Sequence, residues 1–220
     1  MRLSLRCAVC AVLAIGLSFQ SVSAQETKEP SEDDAPAGME AHMKGYPYEM
    51  DPAHSQVTFK IRHMGVANVR GRFDDVNASI FLDPTDITTL SAEAVISVAS
   101  VDTENERRDN DLRSDNFFDV ATFPEMKFAG TGVSDVGDDG TFKLHGQLTI
   151  RDITKDVVLD AEMSGPIVSR GQERIGFVAT TRIDRFDYGL KWDALTEAGG
   201  LVAGRDVDIT VEIEARRPVE

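Results

Sequence analysis

Four histidines, His42, His54, His63 and His145, are the side chains able to ligate a metal or move a proton near neutral pH. Their spacing fits no metal motif, and none shares a local pattern with the paired carboxylates that zinc hydrolysis uses. There is no Gly-x-Ser-x-Gly elbow. Both cysteines, Cys7 and Cys10, fall in an N-terminal apolar run that processing would remove, leaving no thiol nucleophile and no disulfide. Local sequence therefore argues against an enzyme, while a Ser/His/Asp group assembled in space, or a His54–His63 pair at one mouth of a barrel, stays open.

Polar recognition is the other chemistry on offer, and it concentrates in residues 100–124. This stretch follows neither strand alternation nor a disordered composition. Asp102 or Thr103 is placed to cap a short helix around 104–114, with Glu104 and Glu106 in its favourable first turn and Leu112 as nearly its sole apolar anchor. Asp102, Asn110 and Arg113, with the distant Arg185, stand where strands end and are candidates to meet a polar head group; a phosphate would need the arginines. The competing reading is a surface helix whose charges only cap and hydrate it. Phe117, Phe118 and Phe123 then bring three rings together before Pro124, which holds Phe123 extended. With Trp192 these rings are candidates to gate an opening.

The frame for these residues is a period of two that begins at Tyr46. Val57, Phe59 and Ile61 alternate with polar neighbours, as do Ala78, Ile80 and Leu82, then Ala92, Ala94 and Ile96, then Met126 and Phe128. Later runs repeat the pattern through Phe142 to Ile150, Val157 to Met163, Ile175 to Ile183 and Val207 to Ile213. Each predicts a strand with one wet face, and Asp83-Pro84, residues 137–140, Arg151-Asp152 and residues 169–171 supply the turns. Eight to nine strands, with helical turns only in the 100–116 insert and at residues 63–69, predict an all-β antiparallel barrel or sandwich. Small inward residues (Ala78, Ala92, Ala94, Ala161 and Ala179) and the strand glycines Gly130 and Gly146 favour an enclosed space. Its lining would come from Val57, Phe59, Ile61 and Phe73, from Ile80 and Ile96, from Met126, Phe128 and Phe142, and from Phe177 and Ala179. Ordinary core packing is the plain alternative for each. The first strand, residues 48–51, is a candidate edge for pairing two subunits as a homodimer.

The N-terminus combines Arg2 and Arg6, a short apolar run to Phe19 and Val22-Ser23-Ala24, the pattern of a cleavable signal peptide over 1–24. Residues 25–45 are acidic, rich in Pro and Ser, and without apolar periodicity, so a disordered linker is expected there. Nothing in the chain beyond the signal approaches the apolar length of a membrane span. The formal charge of −15 includes Arg2 and Arg6, and losing these two positive charges takes it to −17. Such a surface repels nucleic acid and anionic membranes on average. The expected location is a bacterial periplasm.

Residues 100–103, Arg108-Asp109, 112–114, 117–120 and Phe123-Pro124 resemble the signature of the YceI-like (polyisoprenoid-binding) family. The resemblance extends from Asp51-Pro52-Ala53-His54-Ser55 and His63-Met64-Gly65-Val66, through Gly71-Arg72-Phe73 and residues 146–150 with Thr154-Lys155, to residues 183–189. It implies a lipocalin-like eight-stranded antiparallel barrel over 46–217 whose tunnel holds a long apolar chain, such as a polyprenyl quinone, a polyprenyl phosphate or an acyl lipid. It implies no cofactor beyond that non-covalent ligand and no metal. If the signal is cleaved as expected, N-terminal sequencing of the exported protein begins at Gln25; an intact Met1 terminus would remove the export reading.

Overall fold

The computed structural model describes residues 45–219. The expected signal peptide, the linker as far as residue 44 and His42 lie outside the described residues. The described residues form one antiparallel sheet of eleven strands. In chain order these are β1 (Tyr46–Met50), β2 (Gln56–His63), β3 (Ala67–Phe73), β4 (Val76–Asp83), β5 (Asp86–Ser97) and β6 (Val101–Asp102), followed by the helix α1 (Glu106–Arg113). Then come β7 (Glu125–Ser134), β8 (Thr141–Ile150), β9 (Ile153–Ser169), β10 (Gln172–Asp184) and β11 (Ala203–Pro218).

Eight of these strands close a ring, β1-β4-β5-β7-β8-β9-β10-β11 and back to β1. The closing strand, β11, is paired along one edge by β10 from Asp206 to Pro218. Its other edge is shared: β2 takes the first half, with Ile61 opposite Val207 and Val57 opposite Val211, and β1 takes Ala215 and Arg216. The jog between the two falls at residues 51–55, where the buried Asp51 carboxylate accepts from the Ala53 amide at 3.0 Å and the Asp51 amide donates to the Glu214 carbonyl. β1 therefore lies between β4 and β11 and offers no free edge, which removes the expected pairing of subunits through residues 48–51.

Where β1 ends, β2 and β3 stand as a hairpin beside β11, joined to β6 only at Arg72–Asp102 and Phe73–Val101. Residues 63–69, expected as helical turns, are the tip of this hairpin. Met64 and Gly65 take φ of 50° and 74°, and the Val66 amide donates back to the His63 carbonyl. Methionine is an unusual residue for that left-handed position, so no Asn-Gly or Asp-Gly signal announced the turn. α1 is also capped differently from expectation. Asn105 is the N-cap and accepts from the Arg108 amide at 3.0 Å, while Asp102 accepts from the Glu104 amide and pairs with Arg72. The Asp109 carboxylate is buried and holds Thr103 through both its amide and its hydroxyl.

One end of the ring is sealed by Tyr48, Leu82, Phe142, Ile175 and Ala215, all nearly without solvent contact. On the outer side of this floor, away from the barrel interior, the Tyr48 hydroxyl donates to Glu173, which also pairs with Arg217. Burial, followed by the hydrogen bond to Glu173, pushes the Tyr48 hydroxyl up to about 12, and burial does the same for Tyr188 at the other end. The ordinary value is near 10, so the unfolded chain loses these protons first and the fold is favoured only while they stay bound. Stability should be level up to about pH 10 and fall between about 10 and 12, by on the order of 2–3 kcal/mol per group. Urea unfolding of the wild type and of Tyr48→Phe across that range checks this, and an equally steep loss in the variant would remove Tyr48 from the account.

Candidate functional site

Inside the ring lies a void of ≈ 230 Å³ that no polar atom faces. Its wall is the inward face of each alternating strand: Val57, Phe59 and Ile61 of β2, Ala78 and Ile80 of β4, Ala92, Ala94 and Ile96 of β5, Phe177, Ala179 and Ile183 of β10, and Val207 to Ile213 of β11. All five small residues singled out by sequence, Ala78, Ala92, Ala94, Ala161 and Ala179, stand on this wall. Each withholds the side-chain volume that would otherwise fill the centre. The strand glycines do something else. A Cβ on Gly146 would lie 2.4 Å from the Phe128 ring, so that glycine makes room for the ring, and the ring in turn narrows the void. Gly71 accommodates Phe59 in the same manner.

The lined stretch of β5 runs from Leu90 to Ile96. That is about 20 Å along the strand and, at a tilt near 40°, about 15 Å along the barrel axis. An extended carbon chain with ~1.5 Å bonds at tetrahedral angles places about twelve carbons in that length. A longer chain must fold back or protrude.

The end opposite the floor is closed by side chains from α1 and the segments after it. Leu112, Phe117 and Phe118 face the void, Phe118 meets Phe73 edge-on with ring centroids 6.0 Å apart, and Leu190 and Arg185 complete the rim. Trp192 does not reach the void. It packs on the outer side of Phe117 with centroids 5.4 Å apart. Phe123 is turned away, with the Arg151 guanidinium 5.1 Å from its ring centre.

Of the remaining sequence candidates, Val57, Phe59, Ile61, Phe73, Ile80, Ile96, Met126, Phe128, Phe177 and Ala179 all line the void. Phe142 shares their strand phase but sits one layer deeper, in the floor. Three of the four polar candidates stand away from the void. Asp102 is paired with Arg72 on the outer surface, and Asn110 is exposed on α1. Arg113 donates to the carbonyls of Ala99 and Val101 at 2.8 and 2.6 Å, tying α1 to β6. Arg185 does line the void and is 3 % exposed, but its guanidinium donates to four carbonyls, of Leu190, Trp192, Ala203 and Gly204. Burial pushes its pKa down, and the carbonyl dipoles supply the solvation that water would have given. Both arginines therefore have donors committed to backbone, so among the described residues that line the void a phosphate would meet no free cation. Sequence spacing carries no trace of these contacts, because the acceptors are backbone carbonyls, which every residue type supplies.

The histidines are dispersed. His54 and His63 flank opposite ends of β2 and do not form a pair. Ser134 and His145 are 2.8 Å apart on the outside of the wall, and among the described residues no carboxylate bonds the His145 ring. Asp51, His54 and Glu214 bring ligand atoms within 4.8 Å of one another. Arg174 pairs with both of these carboxylates and Arg216 with Asp51, so the cluster is already balanced by cations.

A closed antiparallel barrel around an apolar void, blind at one end and rimmed by aromatic rings at the other, is a fold built to enclose an apolar group. The YceI-like domain matches residues 48–215, and the chain belongs to that family. The UPF0312 protein SAS2572 of Staphylococcus aureus (strain MSSA476) is 35% identical over 171 residues, covering 76% of this chain and 95% of that protein. The crystal structure of the Campylobacter jejuni YCEI protein has a TM-score of 0.63 at 35% identity, covering 80% of this chain and 100% of that one. A polyisoprenoid binding domain from Saccharophagus degradans, implicated in plant cell wall breakdown, shares the fold with a TM-score of 0.57 at 20% identity, covering 78% and 98% of the two chains.

Replacing Arg185 with Met leaves four carbonyls without their donor and should cost about 3 kcal/mol. Arg185→Lys restores the charge but not the fork and should recover less than half. Thermal melts and limited proteolysis in the 190–203 loop measure both. A Lys variant as stable and as resistant as wild type would show that the charge alone matters.

Proposed function

We propose that the protein binds a long-chain apolar lipid, an isoprenoid or related acyl compound, with its tail in the barrel and its head at the rim. The single observation that carries this is a void walled by alanines and large apolar side chains and faced by no polar atom. A filled-barrel interaction protein, the alternative reading, would place bulky residues where Ala78, Ala92, Ala94, Ala161 and Ala179 stand. Family membership and the fold shared with a polyisoprenoid binding domain support the same reading.

About twelve buried methylenes would contribute roughly 10 kcal/mol before ordering and lost tumbling are subtracted. With Arg113 and Arg185 donating to carbonyls, a neutral head such as a quinone fits the rim better than a phosphate. The protein acts by sequestering or carrying this lipid, not by transforming it, and the signal-like N-terminus supports work in a periplasm.

Native mass spectrometry of protein purified from its own host, followed by organic extraction, should reveal a stoichiometric long-chain lipid. Ala94→Phe should abolish that occupancy while the melting temperature stays within a few degrees of wild type, because Ala94 borders empty space. A wild type that stays empty after incubation with quinones and polyprenyl phosphates would sink the proposal.

A further inference from the structure

The hairpin of β2 and β3 has a composition that neither barrel closure nor cavity lining explains. In a chain of net charge −15, residues 56–73 hold Lys60, Arg62, Arg70 and Arg72 and no acidic residue. All four lie on the outward face of the hairpin, since the alternate positions Val57, Phe59 and Ile61 face the void. Lys60 is paired with Asp208, and Arg72 with Asp74 and Asp102. Arg62 and Arg70 form no ion pair among the described residues, and both are exposed.

The tip between them is apolar and unshielded. Val66 is 82 % exposed and Met64 50 %. Met64 also holds a left-handed backbone conformation that a long side chain adopts at a cost and that Asn or Gly would take readily. Folding does not ask for methionine at that position. The tip stands at the aromatic rim and not at the floor. The Met64 amide donates to the Val202 carbonyl, in the same loop whose Trp192 packs on Phe117 and whose Leu195 is 63 % exposed.

We infer that this hairpin docks the barrel mouth on an anionic lipid bilayer, with Met64 and Val66 entering the interface and Arg62 and Arg70 at the level of the lipid phosphates. The inference rests on the lipid-binding reading, because a tail too apolar for water must move between barrel and bilayer without crossing solvent. The acidic remainder of the surface does not oppose this. Its net negative charge disfavours approach by other faces and so orients the hairpin toward the membrane, and its repulsion is screened beyond about 10 Å. The rim loop itself carries Asp193 and Glu197 against the single Lys191, a net negative charge, which leaves the hairpin as the more cationic contact.

The test is sedimentation of the purified protein, as its host processes it, with vesicles of phosphatidylethanolamine and phosphatidylglycerol or of phosphatidylcholine alone. Wild type should bind the anionic vesicles at least about tenfold more tightly than the zwitterionic ones, and less tightly as salt rises. Arg62→Gln with Arg70→Gln should remove that preference, about fivefold per arginine. Met64→Asn with Val66→Ser should weaken binding to anionic vesicles by about tenfold, with Asn suiting the turn so that the fold is kept. Retention of a fluorescent long-chain fatty acid in vesicle-free solution is measured on every variant. Equal binding to both vesicle types, or variants that bind as wild type does, overturns the docking inference. Loss of the fluorescent lipid by wild type itself counts instead against the cavity reading.

Discussion

A barrel with a void at its centre cannot be held together across that centre, so the whole structure depends on closure of its hydrogen-bonded wall at β11. That strand meets β10 on one side and two successive partners on the other, and the change of partner at Asp51 brings the ring to an end that fits. Everything that keeps the interior empty relies on this seam. Were β1 to detach, the inward alanines would have no reason to remain apart, and the wall would collapse onto them. It is consistent that the seam carries a network of charges, Asp51, Arg174, Glu214 and Arg216, around a carboxylate buried from solvent. Hydrogen bonds from the Ala53 amide and His54, with the Arg216 charge, hold the Asp51 carboxyl below its usual range.

The two ends of the barrel are built by different means. The floor is packed from strand residues in register, with a tyrosine, a glutamate and an arginine joined on its outer side. The rim is assembled from pieces that are not strands, held by guanidinium groups reaching for backbone carbonyls. Arg113 fastens α1 to β6 and Arg185 fastens the 190–203 loop to the ends of β10 and β11. An arginine is suited to this because its flat fork serves several acceptors at once. The floor is thus set by apolar packing and the rim by directed polar bonds.

Most of this wall was legible in the chain, because a period of two is a local property and each strand repeats it. The alanines were readable as room for the same reason: size at an inward position needs no knowledge of the partner strand. What escaped was anything set by depth or by backbone acceptors. Phe142 has the phase of a lining residue, and only the register of β8 against β9 shows it to be one layer too low. Arg113 and Arg185 looked free because carbonyl acceptors leave no mark on sequence. The Met64 turn leaves no signal because its residue is one that turns seldom use, and Gly146 leaves none because a missing side chain does not say whether a ligand or a neighbouring ring takes the space.

The sealed floor gives the cavity a single polarity of entry. An amphiphile can be seated only with its tail leading, whereas in a leaflet its head already lies at the surface and its tail points inward. A molecule passing from leaflet to barrel through the rim must therefore turn end over end, carrying its head through the apolar layer or around it. That somersault is easy for a weakly hydrated head and prohibitive for a doubly charged one. The blind end would then act as a filter on what that head can be.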